Sequence, residues 1–477
     1  MRRASHVLPL ALVVLAASCR VGPDFVAPTP PTPAAWKSAG PAAQGALLSN
    51  ASPWWRAFGD DELARLVEKA LANDTDLVAA AARVEAARAA AGLARSAQFP
   101  TVDAGVSIER ERFSGNRATP PGANGAGYTA TTHDVGFDLA WELDLFGRLS
   151  RTREAAEAAA LATEYDRDAL ALAVAAEVAD DWLALRSTRS ELAVLVEGAR
   201  IRREALEMLA GRARAGVGDE LDTSRAEAEL ANVEAERHAL ERRRAALENA
   251  LALLCGVAPS ELVLATSDAA LTVPDVPTGL PSDLLRRRPD VASAVARMHE
   301  ASARIGVADS ESYPRLSLTG TLGFVSADLA RWIDASSRTA ALGVAGTIPI
   351  AHGGSDEQRE RAARAAYDER AAAYRGTLLS AFREVEDALS GLETLRAEAE
   401  WRGRAAEAAR RTLALANGRF EQGLVSQLDV VDAARAELDS RRAEVQVAGL
   451  RARTTVLLVR ALGGGWRRGE EVGERSP

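Results

Sequence analysis

The chain contains one long segment twice, and this duplication limits the folds open to it more than any other feature. Residues Gly211–Gly256 recur 207 positions later as Gly418–Gly463. Each copy opens with Gly-Arg, has another glycine four residues after that arginine, and then reaches Leu-Asp. A second pair of segments, 71–100 and 285–314, matches at 11 of 30 positions. The sequence therefore predicts two tandem copies of one structural unit.

Composition indicates what these units are made of. Aromatic residues are only 5% of the chain and alanine dominates the apolar fraction, which favours long, closely packed helices. The net charge of -9 and the absence of lysine and arginine blocks argue against a nucleic-acid partner. Five scattered histidines and no nucleophile-base spacing give no sign of a metal site, a cofactor or an enzyme.

The N-terminus reads as an export signal. A Met-Arg-Arg start and an apolar run from Val7 to Ala17 predict a signal peptide over residues 1–18. The sequence Leu-Ala-Ala-Ser before Cys19 resembles a bacterial lipoprotein signal, in which the cysteine becomes the acylated first residue. Arg20 follows, where such signals place aspartate for inner-membrane retention, so an outer-membrane destination is expected. Ordinary cleavage nearby is the alternative. Residues 19–58 are then a lipid-anchored tether.

Two segments in each copy alternate apolar and polar residues. In the first copy they lie at about 101–146 and flank a Gly/Pro/Asn-rich loop, and in the second they lie at about 315–350. This period predicts a β-hairpin per copy. A soluble hairpin with one buried face would have the same pattern, but the alternation of large apolar residues with acids also suits strands of a membrane barrel.

Helical sequence occupies most of the remainder. The first copy predicts a helix from Asp61 to about Gln98, started by carboxylates at 60–62, and then long helices over about 150–216 and 221–254. The first of these long helices would measure roughly 100 Å. The second copy predicts helices over 282–312, 355–417 and 426–462. The expected division is a first repeat at 59–274, a Pro-rich link at 275–281, a second repeat at 282–466 and a tail at 467–477.

Four strands cannot cross a bilayer by themselves. Both edges of such a sheet would leave unpaired backbone groups in hydrocarbon. Several chains must therefore close one sheet, and three chains would supply twelve strands, an even number within the usual range for outer-membrane barrels.

These features together resemble the outer-membrane factor family, the TolC-like exit ducts of efflux systems, and in particular its NodT-type lipoprotein branch. The matching sequences cover nearly the whole mature chain. They are Val21-Gly-Pro-Asp24, Trp54-Trp55 with Phe58, Trp141-Glu-Leu-Asp-Leu-Phe-Gly-Arg148, Arg287-Arg-Pro-Asp290 and Ala461-Leu-Gly-Gly-Gly-Trp466.

The resemblance implies a mainly α fold with membrane β: a homotrimer with a twelve-stranded barrel in the outer-membrane lipids, continuous with a twelve-helix periplasmic barrel. It also implies two partners, a periplasmic adaptor and an inner-membrane pump of the RND class. The duct itself performs no chemistry. Trp141 is expected in the aromatic girdle at the membrane interface, or else in subunit packing.

By position, the two glycine turns resemble the periplasmic tips of the family, which contact the adaptor. The residues assigned to these tips are Gly216, Val217, Leu221, Gly423 and Leu424.

The resemblance also implies a gate beside the tips, at Leu428 and Asp432. A threefold ring of Asp432 would favour cations at the aperture, although a solvated outer position for this residue is the alternative. Arg225 stands at the equivalent position of the first copy, and an Arg225–Asp432 link would hold the tip shut. Asp222 and Asp429 are either further gate residues or caps of the helices that follow the turns.

Two other functions remain open from the sequence. One is a duct for polypeptides that works with an ABC exporter, which shares the architecture. The other is a periplasmic coiled coil without a pore, against which the four amphipathic strands argue.

Overall fold

The computed structural model describes residues 20–38, 53–116, 127–265, 273–276, 281 and 287–466. The predicted signal peptide, Cys19 and the C-terminal tail at 467–477 lie outside these residues, as do parts of the tether and of the Pro-rich link.

The described chain contains seven helices and four strands of regular length. In order they are α1 (Asp61–Asn73), α2 (Thr75–Ser96), β1 (Thr101–Phe113), β2 (Tyr128–Leu143), α3 (Arg148–Arg214), α4 (Glu220–Leu254), α5 (Pro289–Ser310), β3 (Arg315–Ser326), β4 (Arg338–Thr347), α6 (Ser355–Glu421) and α7 (Gln427–Ala461). Short 3-10 helices lie at Trp54–Phe58, Leu329–Arg331 and Ala335–Ser337.

The duplication predicted from the sequence recurs in the helix lengths. Helices α3 and α6 both have 67 residues, which corresponds to roughly 100 Å each, and α4 and α7 both have 35. Glycines at repeated positions explain why the helices of the two copies end at matching residues. Gly216 and Gly423, like Gly256 and Gly463, have positive φ between 65° and 88°. Because only glycine adopts this conformation at no steric cost, both copies stop and reverse their helices at matching residues.

The prediction of one continuous helix from Asp61 to about Gln98 is wrong, because the structure has two helices there, α1 and α2. Asp74 interrupts it, and one carboxylate oxygen of Asp74 accepts hydrogen bonds from the backbone N–H groups of Asp76 (3.0 Å) and Leu77 (2.9 Å). This N-cap starts α2 independently of α1. The predicted cap of α1 is confirmed, with Asp60 accepting from the N–H groups of Glu62 and Leu63.

The four strands form one antiparallel sheet in the order β1-β2-β3-β4. Its register pairs Val106 with Val135, Val135 with Phe324 and Leu318 with Val344, so apolar side chains share one face. Those side chains are open to the surroundings, with Val106 70% exposed. The opposite face is polar and includes the directly paired Asp103 and Asp138.

The chain packs as two compact units, and both sequence repeats contribute to each. One unit contains the described residues of 84–163 and 294–374 together with residues 20–28, and holds the sheet. The other contains the described residues of 29–83, 164–293 and 375–466, and its core includes the fully buried Trp182, Leu66 and Cys255. Cys255 is a free thiol with no exposed surface and packs in this core as a small hydrophobic side chain.

Candidate functional site

The two helix turns have the same backbone geometry. In the first, the N–H of Val217 donates to the carbonyl of Arg212 (3.0 Å), and in the second the N–H of Leu424 donates to the carbonyl of Arg419 (2.9 Å). These bonds close the ends of α3 and α6 in the same way. Val217 and Leu424, which follow the turn glycines, are both 69% exposed. Two large apolar side chains therefore stand in equivalent exposed positions at the two turns.

The start of the helix after each turn differs between the copies. In the second copy the Ser426 and Asp429 side chains form a capping box, with the Asp429 carboxylate accepting from the Ser426 N–H (2.8 Å). Hydrogen bonds from the Ser426 hydroxyl and backbone hold the pKa of Asp429 below its usual range. Of the two roles left open for Asp429, the structure therefore contains the helix cap.

In the first copy, the residue equivalent to Ser426 is Asp219, and Asp219 caps α4 through the N–H of Leu221 (2.9 Å). This cap accepts from the N–H of Leu221 and not from that of Asp222, so α4 begins with a single cap and no capping box. Asp222 instead lies 3.9 Å from Arg225 one turn later. The expected Arg225–Asp432 link is not among the ion pairs formed within the described part of the chain.

Leu428 and Asp432 occupy one edge of α7 just after the turn. Leu428 is 44% exposed, Leu221 at the equivalent place in α4 is 52% exposed, and Asp432 is also exposed. Because Leu428 and Asp432 are four residues apart, they lie on one face of the helix.

Helices α4 and α7 are joined by ion pairs at a constant offset. Arg435 of α7 pairs with Glu229 of α4, and seven residues further on Arg442 pairs with Glu236. Both pairs join residues 206 positions apart, so the two helices run in matching register. These pairs were not predicted from the sequence, although the repeat offset of 207 residues brings the two helices into nearly this register.

A buried arginine supports the same region from α3. Arg202 is only 8% exposed, lies 4.0 Å from Glu229, and donates to the carbonyl of Gly198. Burial lowers the pKa of Arg202, while the nearby Glu229 carboxylate opposes that shift. Beside it is a cavity of about 230 Å³ that Leu413, Val430 and Val431 help to line. The helices are therefore incompletely packed next to the turns.

In the unit that holds the sheet, the N-terminal segment is bound tightly. The N–H of Val21 donates to the carbonyl of Phe146 (3.1 Å), just after β2. The Arg151 side chain, 1% exposed, donates to the carbonyls of Val21 (3.1 Å) and Gly22 (3.0 Å) and to the Asp24 carboxylate (2.9 Å). Residues 20–24 therefore have a fixed place at the end of the sheet where the helices begin.

Trp141 lies at the same end of β2, opposite Leu318 of β3. Its indole Nε1 donates to the carbonyl of Gln98 at 3.0 Å, and the side chain is half-buried. An amphipathic ring bonded at its polar tip suits the predicted interfacial position, which remains a prediction.

The described part of residues 20–466 contains neither a membrane-spanning helix nor a candidate metal site. No helix there combines the length and apolar character needed to cross a bilayer. In the same residues no three histidine, cysteine, aspartate or glutamate side chains are grouped in a way that could hold a metal ion.

The chain is similar to known proteins over nearly its full length. Residues 66–257 and 280–464 match the family model described as outer membrane efflux protein. The pyoverdine export outer membrane protein OpmQ of Pseudomonas putida is 31% identical over 97% of both chains, and outer membrane protein OprJ of Pseudomonas aeruginosa is 32% identical over 98% of this chain and 97% of OprJ. The crystal structure of the Campylobacter jejuni CmeC outer membrane channel superposes with a TM-score of 0.88 at 26% identity, over 95% of this chain and 96% of CmeC.

Proposed function

The chain belongs to the outer membrane efflux protein family, and on that basis we propose that it is a homotrimeric exit duct for small molecules, served by an inner-membrane RND pump through a periplasmic adaptor. The family, the fold class and the efflux function expected from the sequence are confirmed by the relatives and by the solved channels. The trimer, the adaptor, the class of pump and the gate are the parts that we propose.

The observation that best supports a trimer is the four-stranded sheet, which has one apolar and one polar face. Strands β1 and β4 each have one partner strand within the described chain, so both edges of the sheet need another strand. The apolar face is open, with Phe137 57% and Leu342 79% exposed. A closed twelve-stranded barrel of three chains satisfies both edges and places that face against lipid.

We further propose that the helix turns contact the adaptor and that Leu428 and Asp432 line the periplasmic aperture. The exposed Val217 and Leu424 support the first assignment. The exposed edge formed by Leu428 and Asp432 supports the second, with Asp222 and Arg225 contributing from the first turn and Asp429 fixing the start of α7.

The partner is expected to crosslink at the turns. A photo-reactive residue at Val217 or at Leu424, introduced in native cells, should capture the adaptor of an RND pump, which mass spectrometry would identify. Val263 is a matched control, since it is 81% exposed and follows the far end of α4, about 50 Å of helix from the turn.

The outcomes separate the candidate functions. An adaptor captured from an ABC exporter would replace efflux by polypeptide secretion. Capture at Val263 as efficient as at the turns, or no envelope partner at either turn, would overturn the assignment of the tips.

We propose that Cys19 anchors the chain to the outer membrane through acyl groups. The support is the position of the next residue: Arg20 pairs with Glu154, and Val21 is bonded at the end of β2. Acyl chains on Cys19 would thus start beside the sheet at the level of the predicted membrane interface, which suits a lipid anchor.

Labelling tests this anchor directly. Cells grown with radioactive palmitate should label the wild-type chain, and Cys19→Ala should lose the label because no thiol remains to be acylated. Cys255→Ala, which removes the buried free thiol, should label like wild type. Label retained in Cys19→Ala would exclude this residue as the acylation site.

A further inference from the structure

The apolar face of the sheet carries a groove of about 700 Å³, within the range of ligand pockets. Two rows of side chains form its walls. Ala104, Phe137 and Leu322 lie in register on one side, and Val106, Val135 and Phe324 on the other. The lining is almost wholly apolar, so the groove suits hydrocarbon.

Three glycines form the floor. Gly105, Gly136 and Gly323 are paired in register across β1, β2 and β3. A Cβ on Gly136 would lie 2.9 Å from the Leu322 carbonyl oxygen, and one on Gly323 would meet backbone of β2 even more closely. Strand backbones therefore approach each other at this row, where larger residues would not fit, and glycine in a strand commonly permits such a bend.

The connection between β3 and β4 closes one end of the groove. Ile333 of this connection lines it and is 72% exposed. The neighbouring Trp332 packs against His133, with their ring centroids 5.6 Å apart. The Nδ1 atom of His133 in turn lies 3.2 Å from the Ser326 carbonyl oxygen. These contacts hold the connection in place on the sheet.

Positive charge is concentrated at this end of the same face. Arg338, in register with Phe324, lines the groove and is exposed. In β1 the sequence Glu109-Arg-Glu-Arg112 alternates, which places Arg110 and Arg112 on the apolar face and both glutamates on the polar face. All three arginines lie toward the ends of the strands farthest from the helices, where the edge of an apolar band meets charged headgroups.

We propose that this groove binds a phosphorylated lipid of the outer leaflet, with an acyl chain between the two apolar rows and a headgroup phosphate on Arg338. The site rests on the proposed function, since it requires the apolar face to stand in the outer membrane. A guanidinium binds phosphate through charge-assisted hydrogen bonds, and the apolar walls require a chain that free phosphate lacks. Lipid A, which has several saturated chains and two phosphates, is the matching probe.

Native mass spectrometry of the full-length protein in detergent tests the site. With diphosphoryl lipid A, the wild-type trimer should retain lipid adducts, whereas phosphatidylethanolamine at the same concentration should give few, because the charge of its single phosphodiester is balanced by the attached ammonium group. Arg338→Gln should weaken retention of lipid A by roughly tenfold, as expected for one charge-assisted hydrogen bond. Ala104→Phe, which fills the groove and keeps the arginine, should weaken it similarly.

Arg315→Gln is the matched control, because Arg315 lies at the other end of β3 on the polar face. Equal lipid A retention by trimers of Arg338→Gln and Arg315→Gln would overturn the site. So would displacement of lipid A by inorganic phosphate at equal concentration, which would identify an ion site. A wild-type spectrum without trimers would instead overturn the proposed assembly, and the lipid site with it.

Discussion

Replacing Leu428 and Asp432 together by alanine is expected to raise the single-channel conductance of the duct severalfold in planar bilayers. Both side chains stand on one exposed face of α7, directly after the glycine turn at 423. In a trimer each would occur three times around the aperture. Shortening three isobutyl side chains to methyl groups and removing three carboxylates would widen the narrowest cross-section, which sets the conductance.

The two single variants should separate size from charge. Leu428→Ala is expected to increase conductance and leave the preference for cations unchanged, whereas Asp432→Ala should mainly reduce that preference, because a ring of carboxylates attracts cations. Asp439→Ala is the control: Asp439 is also exposed and follows Asp432 by seven residues on the same face of α7. If the double variant conducts like Asp439→Ala, these residues do not form the gate.

The ends of the long helices could be predicted closely from the sequence because they depend on local chemistry. Glycines at 216 and 423 adopt positive φ, and the residues after each turn cap the next helix within three positions. Such signals act between neighbours, so a single sequence contains them in full. The break at Asp74 was missed although it is local, because alanine-rich helical sequence continues on both sides of it.

Contacts between distant segments could not be predicted in this way. Arg151 binds Gly22 and Asp24 across about 130 positions, and nothing in the neighbourhood of Arg151 indicates that its side chain is buried. The roles of Asp222 and Asp429 also depended on context. They are equivalent in the repeat, but serine precedes one and aspartate the other at the cap, so only Asp429 forms the box.

Asp60→Ala is expected to destabilise the helical unit more than most single substitutions. One carboxylate oxygen of Asp60 accepts from the Trp182 indole at 2.9 Å and from the Arg186 guanidinium at 2.7 Å, while the other caps α1. The side chains of Asp60 and Arg186 are 4% and 9% exposed. Removing the carboxylate breaks this buried ion pair, the hydrogen bond from Trp182 and the α1 cap together, which costs about 3–5 kcal/mol in the free energy of unfolding.

The loss of stability caused by Asp60→Ala should become smaller as the pH falls. Burial alone would raise the pKa of Asp60, but hydrogen bonds from Trp182 and the Leu63 N–H, together with Arg186, lower it. A carboxylate whose pKa is depressed in the folded state contributes stability above its unfolded pKa of about 3.9, and loses it as the pH falls through the folded value. The difference between wild type and Asp60→Ala should therefore be full at neutral pH and shrink below about pH 4.

Thermal unfolding followed by circular dichroism at 222 nm measures both effects. Asp60→Asn keeps an acceptor for the α1 cap but no charge for Arg186, so its midpoint should lie between those of wild type and Asp60→Ala. Asp61→Ala, which alters an exposed acid in the same helical turn, should unfold close to wild type. Equal midpoints for Asp60→Ala and Asp61→Ala would mean that the buried pair does not stabilise the unit. A difference from wild type that stays constant down to pH 3 would show that the charge of Asp60 is not what Arg186 and Trp182 require.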